Sequence, residues 1–103
     1  MATHTQAAFF ARDPAVRAPL TAAITATAIM VANEDPSTPL HEPRVELAHR
    51  VLVHPASMVD QFAWAISTNP TVVDKWAAGD NEGAIGDFSY VITTIWDALA
   101  EAN

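Results

Sequence analysis

Glu46 and His49 stand three residues apart in Glu46-Leu47-Ala48-His49, a spacing that puts a carboxylate and an imidazole on one helix face, as di-iron helical bundles use. Such a centre needs a second Glu-x-x-His and two further Glu from facing helices, and the stretch from Pro14 to Val31, the longest expected helix, holds no carboxylate. A homodimer would duplicate Glu46 and His49, with Glu42 one turn earlier, so a metal-binding helical oligomer stays open as a reading of another class. Its plain competitor is a solvated face with local charge pairing. His41, His49 and His54 form a second cluster, useful because a neutral imidazole is a general base near pH 7. His41 falls in a linker and His54 at a helix boundary, and neither a Gly-x-Ser-x-Gly turn nor a phosphate-cradling Gly-rich loop accompanies them. Asp80, Asn81, Glu82 and Asp87 loosely suggest Ca²⁺, yet the stretch lacks the ligand alternation and terminal Glu of a calcium loop. The expectation is no catalytic residue, no metal and no cofactor: a protein that is not an enzyme.

The elements that would position these residues follow from proline punctuation. Asp13-Pro14, His54-Pro55 and Asn69-Pro70 read as helix starts, since Pro suits the first helical position and Asp or Asn before it caps the free N–H groups. His54 is the poor cap of the three. A short helix is expected over residues 5–12, carrying Phe9 and Phe10. After Pro14, the residues Val16, Leu20, Ala23, Ile24, Ala28 and Val31 recur at helical spacing. Pro19 either kinks this helix or delays its start. Residues 33–43 hold three prolines and are the expected linker, after which Pro43 opens a helix with the stripe Val45, Ala48, Val51 and Leu52. The segment from Pro55 to Ser67 is so apolar that little solvent face is left, which marks it as central or as a subunit interface. Pro70 begins a short helix with Val72, Val73 and Trp76, ended by Gly79. Residues 79–86 are expected as an acidic Gly-containing loop, and Asp87 as the cap of a last helix with the stripe Phe88, Val91, Ile92, Ile95, Trp96 and Leu99. Tyr90 to Trp96 is β-branched enough to compete as a strand, but the helical period favours helix. The predicted class is all-α: one domain over residues 1–103, a small bundle of about five helices with short Pro-initiated turns.

Composition narrows the function. Of the 103 residues 50% are hydrophobic, so the chain can offset its conformational entropy, and a domain this small leaves part of that surface unburied. Five Lys and Arg stand against twelve Asp and Glu, a formal charge of −7, and Arg12, Arg17, Arg44, Arg50 and Lys75 are scattered singly. This disfavours direct binding to nucleic acid and to anionic membranes. The longest apolar run, Leu20 to Ala32, is interrupted by Thr21, Thr25 and Thr27, so no bilayer span is expected; nor is a secretory signal at the N-terminus. Without cysteine there is no disulfide, thiolate nucleophile or cysteine-bound zinc. Packing on a partner is the remaining use for the surplus apolar surface, and Met58, Phe62, Trp64, Ile66 and Trp76 are the interface candidates. Trp96 lies on a clean apolar stripe and reads as core.

Three segments are similar to known proteins when taken together: Leu47-Ala48-His49-Arg50-Val51-Leu52 with Pro55; Phe62-Ala63-Trp64-Ala65-Ile66-Ser67-Thr68-Asn69-Pro70; and Ile95-Trp96-Asp97-Ala98-Leu99-Ala100. In this order they resemble small α-helical virion structural proteins of tailed bacteriophages, over residues 14–100. The shared positions are packing residues and carry no catalytic signature. Pro19 and the Pro-rich linker depart from the pattern. The resemblance implies a non-enzymatic virion component, made in the host cytoplasm and assembling symmetrically at the head–tail connector as an adaptor or neck piece. Its partners would be copies of itself and portal, capsid or tail proteins. A capsid-associated or other tail position, and a monomeric regulatory binding module, are the alternatives.

Overall fold

The structure, a computed structural model, describes residues 12–102. Among them are five helices and no strand: α1 (Pro14–Ala32), α2 (His41–Val53), α3 (Pro55–Ile66), α4 (Pro70–Ala77) and α5 (Asn81–Glu101). The helix expected over residues 5–12 lies, up to residue 11, outside the described residues.

Local chemistry sets most boundaries. Asp13 accepts from the Ala15 N–H and Asn69 from the Thr71 N–H, each at 3.0 Å, which satisfies a first-turn donor that no helical carbonyl can reach. His54 makes no side-chain cap; it closes α2 and opens α3 at a single residue, with Pro55 following. Pro19 neither delays nor divides α1, which runs through it from Pro14. Gly79 ends α4 at φ +85°, a conformation that costs glycine little.

Two expected boundaries are corrected. Residues 79–86 are not a loop: Asp80 caps α5 by accepting from the Gly83 N–H, so the helix begins at Asn81 and Asp87 lies inside it. The competing strand over Tyr90 to Trp96 is part of the same helix. The linker is shorter than residues 33–43, because α2 starts at His41 with Pro43 in its first turn, where a missing N–H breaks no helical bond.

The core forms where α5 lies against α1, α2 and α3, while α4 packs mainly on α5. Leu20, Ile24, Leu47, Phe62, Ile66, Phe88, Ile92 and Trp96 are fully buried there. Phe62 and Trp96 meet with ring centroids 5.4 Å apart and planes tilted by 43°, within the favourable range for an aromatic pair. The Trp96 indole N–H donates to the Arg44 carbonyl at 3.2 Å, so the buried polar end is satisfied. Predicted stripes on α1 and α5 face this core; on α2, Leu47 is buried instead of Leu52, which is exposed. The segment from Pro55 to Ser67 has a solvent face after all. Ser57, Asp60, Gln61 and Trp64 are exposed, and its apolar character comes from alanines added to an ordinary buried stripe.

Candidate functional site

The interface candidates separate once burial is known. Met58, Phe62 and Ile66 are core residues with no side-chain surface left for a partner, a correction to their expected role. Trp76 is half-buried against the core, and its indole N–H donates to Asp13 Oδ2 at 2.6 Å, tying α4 to the cap of α1. Trp64 alone of the five is on the surface, 44% exposed. Glu46 and His49 are both exposed, and among the described residues no three His, Asp or Glu side chains gather as a metal cluster. His41 is half-buried beside Glu34, apart from the exposed His49 and His54. Of the acidic residues near Gly79, Asp80 is used as a cap and Asp87 binds Lys75 at 2.6 Å. That bond, donated by the Lys75 ammonium to the Asp87 carboxylate, raises the Lys75 pKa above its ordinary value.

A polar network ties α2 to α5 and to the segment that follows α1. Arg44 on α2 donates from Nε to Glu34 at 3.0 Å and from its guanidinium terminus to Asp97 on α5. Burial disfavours the Arg44 charge; the bonds it donates to Glu34 and Asp97 outweigh that, raising the Arg44 pKa above its ordinary value. His41 Nδ1 lies 3.9 Å from Glu34 and is buried with no hydrogen-bond partner. Three chain segments meet here through charge, which holds them in position.

The surface with the clearest capacity for binding is the outward side of α1. Every exposed position of this helix is apolar, among them Ala15, Ala18, Ala22, Ala26, Ile29 and Met30, the last 70% exposed. Its one charged residue, Arg17, is half-buried and paired with Asp60 at 2.8 Å. At about 1.5 Å per residue this uncharged face runs about 28 Å along 19 residues. By length and composition α1 also suffices to cross a membrane, with a mean hydropathy of 1.5, which corrects the expectation that no stretch is long enough. Val16, Leu20, Ile24, Ala28 and Val31 on its other side belong to the bundle core, so spanning a bilayer would dismantle that core. The signal for this face was present in the sequence as a near absence of charge between Pro14 and Asn33; attention to the buried positions alone passes over it.

A second surface feature lies on α2. Glu46, His49, Arg50, Val53 and His54 line a shallow groove of about 220 Å³. Val53, the apolar residue of this lining, is 67% exposed. Comparison with protein families, curated proteins and solved structures finds no match to this chain.

Proposed function

We propose that this protein is a non-enzymatic structural subunit of a tailed-bacteriophage virion, assembling symmetrically at the head–tail connector as an adaptor or neck component. It packs against copies of itself and against portal, capsid or tail proteins. The observation that carries the assembly role is the outward side of α1, on which every exposed residue is apolar. A contiguous apolar face on a chain with twelve carboxylates is costly in water and is relieved by burial against protein. The virion assignment rests on the resemblance of the segments around Leu47–Leu52, Phe62–Pro70 and Ile95–Ala100. A capsid-associated or other tail position is the alternative within the same class.

The test is protein identification in purified particles, with wild-type chain and with Ala22→Glu supplied in trans. Glutamate is a good helix former, so this exposed substitution changes folding stability by only about 0.5 kcal/mol or less. In a buried contact the same charge costs several kcal/mol. Wild-type chain is expected in particles at a fixed copy number and the folded variant is expected to be depleted. A chain missing from particles, or a variant incorporated as well as wild type, refutes the proposal.

A further inference from the structure

We propose that residues 1–11 of the chain fold back on the start of α1 and lay Phe9 and Phe10 in the alanine groove on its outward side, covering in the free protein the face through which it assembles. This rests on the reading that the outward side of α1 is the assembly surface.

The groove is lined by Pro14, Arg17, Ala18, Thr21 and Ala22 and holds about 550 Å³. Apolar ligand sites occupy about 300–1,000 Å³, so it is wide enough for aromatic rings, and the small side chains of Ala18 and Ala22 leave it unfilled. It asks no hydrogen bond of an occupant. The Thr21 hydroxyl donates to the Arg17 carbonyl at 2.8 Å. Arg17 donates to Asp60 at 2.8 Å and to the Ala56 carbonyl at 3.4 Å, which holds its guanidinium against α3. What the groove can take is therefore apolar bulk without charge.

The chain delivers such bulk to the end of the groove. Asp13 is pinned beside Pro14 through both carboxylate oxygens, one accepting from the Ala15 N–H at 3.0 Å and the other from the Trp76 indole N–H at 2.6 Å. Its ψ of 113° is extended, so the chain leaves the axis of α1 at this residue instead of prolonging it. Residues 1–11 join the described structure just beyond, at Arg12; they hold no Asp, Glu, Lys or Arg, and Phe9 and Phe10 are their largest side chains. An extended chain covers about 3.3–3.6 Å per residue, so Phe10 can stand up to about 11 Å from Asp13 and Phe9 up to about 14 Å. The groove from Pro14 to Ala22 is about 12 Å long at 1.5 Å per residue, which both rings can reach. Tethering gives this segment an effective concentration on the order of millimolar, whereas a second copy arrives from dilute solution and brings a formal charge of −7 against the same charge. The segment therefore holds the face until an assembling partner displaces it.

Nuclear Overhauser contacts in the full chain, at a dilution where sedimentation gives a monomer, read the cover directly. Ring protons of Phe9 and Phe10 are expected to contact the methyl groups of Ala18, Thr21 and Ala22. In a mixture of isotope-labelled and unlabelled chains, no such contact between copies is expected. The double variant Phe9→Ser with Phe10→Ser, folded by circular dichroism, is expected to self-associate about tenfold more tightly, since a face covered about nine-tenths of the time weakens apparent affinity by that factor. Rings without contact to α1, contacts found only between copies, a double variant that associates no more tightly than wild type, or a wild type associated at every dilution each overturn the cover. Purified particles judge the virion reading separately. A chain found in particles whose rings do not touch α1 keeps that role and loses the cover; a chain absent from particles whose rings lie on α1 keeps the cover and loses the role.

Discussion

Replacing Trp96 by alanine and by phenylalanine measures how much of the fold depends on the meeting point of α5, α2 and α3. Trp96 is fully buried, faces the ring of Phe62 at 5.4 Å and donates its indole N–H to the Arg44 carbonyl. Alanine removes the whole indole from a packed site, a change that costs about 3–5 kcal/mol. Domains of this size are stable by about 5–15 kcal/mol, so the loss is roughly a fifth of the total or more. At roughly 4–8 °C per kcal/mol the melting temperature is expected to fall by on the order of 20 °C. Phenylalanine keeps an aromatic partner for Phe62 and gives up the indole bond, about 0.5–1.5 kcal/mol, together with some volume. The Arg44 carbonyl keeps its place in the helical ladder of α2, so no acceptor is orphaned and a loss of about 1–2 kcal/mol is expected. Tyr90→Ser, at an 82% exposed position of the same helix, is the control and is expected within about 0.5 kcal/mol of wild type. The assay is thermal and urea unfolding followed by circular dichroism. An alanine variant melting within about 3 °C of wild type, or a phenylalanine variant as unstable as alanine, would refute the placement of Trp96 in the core.

Further outcomes follow from the helix ends. Asp13→Ala removes the cap of α1 and the acceptor of the Trp76 indole together, so a loss of about 1–3 kcal/mol is expected in urea unfolding, with a change in tryptophan emission. Gly86→Ala meets open space inside α5 and is expected to stabilise by about 0.4–1 kcal/mol. Gly83→Ala falls short of that gain, because its Cβ would displace the capping carboxylate of Asp80, whereas Gly79→Ala, at φ +85°, destabilises; thermal melts of the three rank them. The Asp35 pKa lies below 3.8 because the Ser37 backbone N–H and then the Ser37 hydroxyl donate to its carboxylate. A lowered carboxylate pKa stabilises the fold above its ordinary value, and that contribution is lost as pH falls through the lowered one. An NMR titration of Asp35 should place its midpoint below 3.8, and Ser37→Ala should move it upward by removing the hydroxyl bond.

Much of the fold was legible in the sequence because the signals that make helices are local. Asp13-Pro14 and Asn69-Pro70 cap and start helices through atoms two or three residues away, and the spacing of Val16, Leu20, Ile24 and Ala28 requires one helix face whatever packs on it. Two local signals compete between Gly79 and Asp87, and there the sequence misleads. Gly83 and Gly86 suggested a loop, but the Asp80 cap and the burial of Ala84 carry the helix through both glycines.

The sequence by itself determined the helical class, the Pro-initiated turns, the acidic surface and the lack of cysteine chemistry, because composition and short-range spacing suffice for each. Only the tertiary structure decided which apolar residues are spent inside. Phe62 and Ile66 are adjacent in type and spacing to Trp64, yet the two turn into the core and Trp64 turns outward, since the direction of a helix face has meaning only once α5 lies against it. It likewise decided which charges are satisfied: Arg44 reaches an acid 53 positions away, whereas Arg50 on the same helix keeps a buried donor without an acceptor. Such pairings depend on which helices meet, and no spacing along the chain records that.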